Sequence, residues 1–160
     1  MTGGKALAGR AVVVTGGTRG IGLAIARALA EDGASVVVSG RDATRFESVT
    51  REIEAMGAAA LAVAADQSKR EDCDRLVEAA KERFGRIDVL VNNAGFTRDQ
   101  LLVRMKDDDW DHVMDTNLRV CSSRTKTTIL SSATARSYWS FRIAWDRSFR
   151  PSLNSRYGYA

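Results

Sequence analysis

The sequence is poor in the residues that build metal sites, disulfide frameworks and hydrolytic triads. It has one histidine, His112, and two cysteines, Cys73 and Cys121, which lie far apart in the chain. A lone histidine cannot form a histidine-based metal site or a serine-hydrolase triad. Two separated cysteines indicate a reducing compartment and not a disulfide framework. We therefore expect no metal site.

Long apolar runs are also missing. No stretch approaches the length of a membrane span, and the first residues do not have a secretory pattern. The 160 residues are 44% hydrophobic and 28% charged, which is typical of one globular domain with a buried core. We expect a cytoplasmic protein that does not bind a membrane.

Acidic residues are scarce in the last quarter of the chain only. Residues 1–118 carry 16 basic and 19 acidic residues, whereas residues 119–160 carry eight basic residues and Asp146 alone. Because residues 1–118 have more acidic than basic residues, the positive net charge of +4 comes from residues 119–160. This segment is rich in serine and has no strand-like alternation. We expect residues 1–118 to form the domain, and residues 119–160 to be an unrelated tail that is either disordered or the product of a reading-frame shift.

Strand-like and helix-like segments alternate along the first ninety residues. Four short apolar runs have the composition of buried parallel strands: Ala11–Val14, Ser35–Ser39, Ala60–Ala64 and Ile87–Val91. Helical spacing of apolar residues separates them, and a further helical pattern runs to Leu118. This alternation predicts an α/β fold, a Rossmann-like doubly wound parallel sheet with helices on both faces.

Two hydroxyl residues lie where helices begin in this pattern. Thr44 is followed by Glu47, and Ser68 is followed by Glu71, which is the spacing of a capping box. We expect Thr44 and Ser68 to be N-caps. The run of acidic residues at 107–109 suits the start of the last helix, because carboxylates favour its positive end.

A glycine-rich turn, Thr15-Gly16-Gly17-Thr18-Arg19-Gly20-Ile21-Gly22, joins the first strand to the first helix. Glycine lets the backbone approach a ligand closely, and the N–H groups at a helix start face an anion. A strand, a glycine turn and a helix in this order indicate a diphosphate site. Arg41, Asp66 and residues 92–95 follow the other strands, so all four segments should meet at the carboxyl edge of the sheet.

These motifs resemble the short-chain dehydrogenase/reductase family, and most closely its 3-oxoacyl-[acyl-carrier-protein] reductase branch. The glycine turn matches the cofactor turn of the family, and Asn92-Asn93-Ala94-Gly95 matches its second signature. The run from Phe96 to Met105, Trp110 and Thr116-Asn117-Leu118 are similar to the reductase branch in particular. The resemblance covers about three quarters of the chain and ends near residue 118.

The resemblance implies a role for each matching residue. The turn, with Gly16, Thr18, Arg19, Gly20, Ile21 and Gly22, would hold the pyrophosphate of the cofactor. Asp66 would accept from the adenine amino group, and Asn93, Ala94 and Gly95 would line the ribose and nicotinamide side. Asn117 would be the catalytic asparagine that holds a water in a proton relay. Without the resemblance, Asp66 is equally a turn residue before a helix, and Asn92 and Asn93 could cap strand ends.

The choice between NAD and NADP depends on the end of the second strand. An NAD site places a carboxylate there for the ribose hydroxyls, but Ser39-Gly40-Arg41 has no acid until Asp42. Arg41 and Arg19 could instead bind a 2′-phosphate through charge-assisted hydrogen bonds. The alternative is that both are solvated loop arginines. We predict NADP(H) as the cofactor.

The sequence departs from the family where the chemistry would take place. The family uses a serine, and a tyrosine followed four residues later by a lysine that lowers its pKa. Tyr138, Tyr157 and Tyr159 all lie in the tail, and none has a lysine four residues on. The resemblance therefore implies an NADPH-dependent 3-oxoacyl thioester reductase, with an acyl-carrier-protein or CoA thioester as substrate, that is catalytically impaired.

Two other functions compete with the reductase. The first is a non-catalytic NADP(H)-binding fragment that associates with a full-length relative, because the nucleotide-binding half is preserved and the catalytic half is absent. Members of the family usually form homo-oligomers. The second is a tail that binds nucleic acid through its arginines and tryptophans. We do not expect nucleic-acid binding, because arginines in an acid-poor, low-complexity segment are more typical of disorder.

Overall fold

The computed structural model describes residues 5–95, 97, 104–114 and 117. The predicted tail, residues 119–160, lies outside them. Strands and helices alternate in the order β1 (Ala11–Thr15), α1 (Gly20–Glu31), β2 (Ser35–Gly40), α2 (Phe46–Ala55), β3 (Ala60–Ala64), α3 (Arg70–Phe84), β4 (Val89–Val91) and α4 (Asp107–Met114). A short 3-10 turn, Ala43–Arg45, precedes α2.

The four strands form one parallel sheet in the order β3-β2-β1-β4. Val13 of β1 lies opposite Val37 of β2 on one side and Leu90 of β4 on the other. The chain moves outward from β1 to β3 and then returns to the far side of β1, so the direction reverses between β1 and β4. Ligands of open parallel sheets bind at such a reversal.

Helices cover both faces of the sheet, as the alternation of side chains requires. Val12 and Val14 point to the face that α1 and α2 cover, where they pack with Ala26 and Ile53. Val13 points the other way, into a second cluster that α3 closes. The predicted doubly wound α/β fold is therefore confirmed. Among the described helices, none is long and apolar enough to cross a membrane.

Both predicted hydroxyl caps are wrong, for the same physical reason. Asp42 is the N-cap of the 3-10 turn, and its carboxylate accepts hydrogen bonds from the backbone N–H and the hydroxyl of Thr44. Asp66 takes the N–H and hydroxyl of Ser68 in the same way, and Lys69 precedes α3 without a side-chain cap. In each turn, a carboxylate two residues earlier is the stronger acceptor.

The fourth strand begins at Val89 and not at Ile87 as predicted. Asp88 stands just before it, and its side chain is only 10% exposed. Its carboxylate accepts the backbone N–H of Ala11 at 2.9 Å and pairs with the guanidinium groups of Arg10 and Arg86. Asp88 thus joins the start of β1 to the start of β4.

Asp88→Asn should destabilise the protein by about 1–3 kcal/mol, because a largely buried carboxylate that accepts three hydrogen bonds loses its charge. Burial opposes ionisation of Asp88, but hydrogen bonds from Arg86, Ala11 and Arg10 outweigh it and hold its pKa below the ordinary value. Because the folded pKa is lowered, this stability is present above about pH 4 and is lost as the pH falls further.

Urea unfolding of both proteins at pH 7 and at pH 3 measures this contribution. The matched control is Asp74→Asn, which breaks only an exposed ion pair with Arg70 and should change the stability by less than about 0.5 kcal/mol. Equal stabilities of the Asp88 and Asp74 variants at pH 7 would contradict the assignment.

Candidate functional site

A cleft of about 630 Å³ opens at the carboxyl ends of the strands. It lies where the chain reverses direction, beside the glycine turn. All eleven residues that the sequence predicts for a cofactor lie in its wall: Gly16, Thr18, Arg19, Gly20, Ile21, Gly22, Arg41, Asp66, Asn93, Ala94 and Gly95. The fold therefore brings segments that are up to 79 residues apart in sequence into one site.

The glycine turn packs so closely that side chains cannot replace its hydrogens. Gly16 and Gly20 have positive φ angles of 65° and 55°, in the region that favours glycine. A Cβ on Gly22 would lie 2.2 Å from the carbonyl oxygen of Gly16 and 2.4 Å from the side-chain nitrogen of Asn93. The absence of a side chain at Gly22 therefore lets the turn pack directly against the segment that contains Asn93.

The hydroxyl of Thr15 joins the ends of the two strands that border the reversal. It donates to the carbonyl of Val91 at 3.2 Å and accepts the backbone N–H groups of Asn93 and Ala94, both at 3.0 Å. Thr15 is completely buried at the end of β1. One side chain thus positions the segment after β4 against the glycine turn.

The side chain of Asn93, which belongs to the segment after β4, connects that segment back to the glycine turn. Its side-chain amide donates to the carbonyls of Thr15 and Gly16 at 3.0 and 3.2 Å. The neighbouring Asn92 differs, because neither polar atom of its buried amide has a hydrogen-bond partner among the residues that the structure describes. The alternative that both asparagines cap strand ends therefore suits Asn93 only.

Helix α1 points its N-terminus into the cleft. Arg19 precedes it in an extended conformation, no side chain caps its first turn, and that turn has no acidic residue. Backbone N–H groups at such a helix start, together with the helix dipole, favour an anion. This end of the cleft is therefore suited to a phosphate group.

The segment after β2 supplies most of the charge. Gly40 packs against Thr18 so closely that a Cβ there would lie 2.8 Å from the threonine hydroxyl. Arg41, Asp42 and Arg45 follow it in the cleft wall, and Arg19 faces the cleft from the glycine turn. Three arginines and two aspartates, Asp42 and Asp66, thus line the described cleft.

Asp66 lies in the segment between β3 and α3. One of its carboxylate oxygens accepts the backbone N–H and the hydroxyl of Ser68, at 3.0 and 2.8 Å. The N–H bond from Ser68 lowers the pKa of Asp66 most; partial burial opposes it, and the Ser68 hydroxyl and the charge of Arg41 lower the pKa further. Asp66 is therefore an ionised acceptor, and it also shapes the turn before α3.

Asn117, the predicted catalytic asparagine, lies beside Gly95. A Cβ on Gly95 would be 2.9 Å from the side-chain oxygen of Asn117, so the missing side chain makes this close approach possible. The structure thus brings Asn117 to the end of the segment after β4. Tyr138, Tyr157 and Tyr159 lie outside the described residues.

Six further cleft residues were not predicted from the sequence: Gly40, Asp42, Ala65, Gln67, Arg45 and His112. Gly40 ends β2, and Asp42, Ala65 and Gln67 lie within three residues of the end of β2 or β3, so their place at a strand end was a usable signal. The amide of Gln67 is buried and donates to the hydroxyl of Ser39 at 2.8 Å, which ties the ends of these two strands together. His112 comes from α4. It does not follow a strand, so its position in the sequence gave no indication that it lines the cleft.

Comparison with known proteins identifies similar chains. The family model described as short chain dehydrogenase matches residues 10–131. The 3-oxoacyl-[acyl-carrier-protein] reductase of Synechocystis is 48% identical over 114 residues, which cover 71% of this chain and 46% of that protein. The enzyme of the same name from Staphylococcus epidermidis is 43% identical over 111 residues, with 69% and 46% covered.

Solved structures show the same similarity. A short chain dehydrogenase from Burkholderia cenocepacia in complex with NADP aligns with a TM-score of 0.75 and 38% identity, over 78% of this chain and 51% of that one. A blue fluorescent protein from a metagenomic library in complex with NADPH aligns with a TM-score of 0.75 and 35% identity, over 79% and 53%. The chain spans about half the length of these relatives.

Thr15→Val should lower the free energy of unfolding by about 1–3 kcal/mol, because an isosteric methyl leaves one carbonyl and two N–H groups without their partner. Urea unfolding of the full chain measures the change. Thr50→Val is the matched control, since the hydroxyl of Thr50 bonds only to two carbonyls of its own helix, those of Phe46 and Glu47. Equal stability of the two variants would contradict the role of Thr15.

Proposed function

The chain belongs to the short-chain dehydrogenase family, and from this premise we propose that its cleft binds NADP(H). The observation that carries the proposal is the convergence of the uncapped start of α1 with Arg19 and Arg41 in one cleft at the carboxyl edge of the sheet. Two relatives of known structure contain NADP or NADPH in complex.

The glycine turn suits the pyrophosphate of the cofactor. Gly16 and Gly22 leave no room for a Cβ between the turn and Asn93, and both glycines line the cleft, where their backbone can approach the ligand. Thr18 and Ile21 border the same part of the cleft. Ile21 is 70% exposed, and a bound dinucleotide would cover part of this apolar surface.

The two arginines favour the phosphorylated dinucleotide. Arg41 follows β2 directly, at the position where an NAD site has a carboxylate for the ribose hydroxyls. Guanidinium groups bind phosphate through charge-assisted, bidentate hydrogen bonds. Arg19 and Arg41 would therefore hold the 2′-phosphate, while ionised Asp66 would accept from the adenine amino group.

We also propose the reaction of the reductase branch, the reduction of a 3-oxoacyl thioester carried by an acyl-carrier protein or CoA. NADPH would supply the hydride. Asn93, Ala94 and Gly95 would line the ribose and nicotinamide side, and Asn117 would hold a water that relays a proton. The names of the relatives from Synechocystis and Staphylococcus support this choice of substrate.

The 160 residues themselves should bind NADP(H) but turn over slowly. Reduction of a ketone leaves an alkoxide that a proton donor must neutralise, and no tyrosine of the sequence has a lysine four residues later. The second candidate function is therefore a non-catalytic NADP(H)-binding partner of a full-length relative. The two candidates share the cofactor site and differ in turnover.

Arg41→Ala should weaken NADPH binding about tenfold or more and leave NADH binding nearly unchanged, because only NADPH has the 2′-phosphate that loses a charged hydrogen bond. Fluorescence titration with each dinucleotide measures both affinities. Arg51→Ala is the control, since Arg51 lies on α2 and pairs with Glu47. Equal binding of NADH and NADPH by the unmodified chain would contradict the assignment of Arg19 and Arg41.

Oxidation of NADPH in the presence of an acetoacetyl thioester tests the second part of the proposal. We expect binding of NADPH with little or no turnover by these 160 residues, because none of their tyrosines is followed four residues later by the lysine of the family pattern. The absorbance of NADPH at saturating thioester measures the rate, and titration of the same sample measures binding. Turnover typical of a reductase, on the order of 1 per second or faster, would contradict the expected impairment.

A further inference from the structure

Asp42 places a negative charge beside the arginines of the proposed phosphate site. It follows Arg41 directly and lies in the cleft wall with Arg19 and Arg45. A carboxylate near the end of the second strand is the group that accepts ribose hydroxyls in NAD sites. The same carboxylate would repel a 2′-phosphate, so its position and its charge affect which dinucleotide binds.

Both oxygens of the Asp42 carboxylate are engaged by its own turn. One accepts the backbone N–H of Thr44 at 3.0 Å and its hydroxyl at 2.5 Å. The other lies 3.6 Å from the guanidinium nitrogen of Arg45. These contacts occupy both carboxylate oxygens within the 3-10 turn, and they compete with the ribose hydroxyls that such a carboxylate accepts in an NAD site.

The negative charge of Asp42 is stabilised by hydrogen bonds and by nearby positive charges. The hydrogen bonds from the Thr44 hydroxyl and N–H lower its pKa most, and the charges of Arg45 and Arg19 lower it further. The carboxylate is therefore ionised at neutral pH, and Arg45 is the cation that faces its second oxygen. Without Arg45, the negative charge of Asp42 would act on the cleft with less compensation.

We propose that Arg45 is a positioning residue for cofactor selection: it neutralises and holds Asp42, so that Arg19 and Arg41 can accept a 2′-phosphate. This inference rests on the proposed NADP(H) site and extends it to a residue that follows the strand end by five positions. Arg45 acts through Asp42 and does not itself bind the phosphate.

A double-mutant cycle separates these two roles of Arg45. Arg45→Ala should lower the preference for NADPH over NADH by about two- to five-fold, the range of an exposed ion pair. Asp42→Asn keeps an oxygen for Thr44 but removes the charge, and should raise NADPH affinity by a similar factor. In the Asp42→Asn background, Arg45→Ala should have no further effect on the preference.

The measurements are fluorescence titrations with NADPH and NADH, and competition by 2′,5′-ADP and by 5′-AMP, which differ in the 2′-phosphate. A purely structural role of Arg45 would weaken both competitors equally, whereas the proposed role weakens 2′,5′-ADP alone. Arg45→Lys keeps the charge and should restore most of the preference. Arg51→Ala, an exposed change on α2, should leave the preference unchanged.

Three outcomes would overturn the inference. A loss of NADPH affinity from Arg45→Ala that persists in the Asp42→Asn background would make Arg45 a direct phosphate ligand. An unchanged preference in Arg45→Ala would remove its role altogether, as would equal losses for the two competitors. A chain that binds neither dinucleotide would instead contradict the proposed function, which the unmodified protein tests separately.

Discussion

The cleft depends on how the ends of β1 and β4 are held together. The Thr15 hydroxyl bonds to three backbone groups of the segment that begins at Val91, and the Asn93 amide returns two bonds to the carbonyls of Thr15 and Gly16. These are the two strands between which the chain reverses direction. Beyond the last paired residues of this ladder, Val14 and Val91, side-chain hydrogen bonds continue the connection between the two strands. A buried polar network of this kind specifies one arrangement, because any other would leave its donors and acceptors unpaired.

The same contacts explain why the turn consists of glycine. Asn93 reaches the carbonyl of Gly16 only because Gly22 has no Cβ, which would lie 2.4 Å from the Asn93 nitrogen. Close packing of the two segments therefore requires glycine at position 22. A larger residue there would separate the segment after β4 from the turn. Gly22 also lines the cleft, so packing and proposed binding involve the same position.

Much of this fold could be predicted from local pattern. Buried parallel strands are nearly continuous apolar runs, so all four strands were found, and glycines and polar residues after strands indicated the edge where the cleft lies. The errors concern competition between neighbours. Thr44 and Ser68 match a capping pattern, but Asp42 and Asp66 are stronger acceptors nearby, which spacing alone does not rank.

Other parts of the site could not be predicted because they depend on packing across the sheet. Asp88 shortens β4 from its predicted start because its carboxylate accepts the N–H of Ala11, 77 residues away. His112 reaches the cleft only through the placement of α4. Gln67 has no motif of its own, and its bond to Ser39 follows from the register of β2 and β3. Such contacts are set by the fold after the strands have paired.

In the proposed function, cofactor binding and hydride transfer depend on different parts of the chain. The four strands and the segments that follow them supply the whole described cleft wall except His112, so the described residues proposed to contact a dinucleotide belong to the first 95 residues. Asn117 marks the border, because it meets this wall at Gly95. Binding energy needs only that wall to be complete, whereas hydride transfer also needs a proton donor placed at the reacting atom. A chain that spans about half of its relatives can therefore keep the first property without the second.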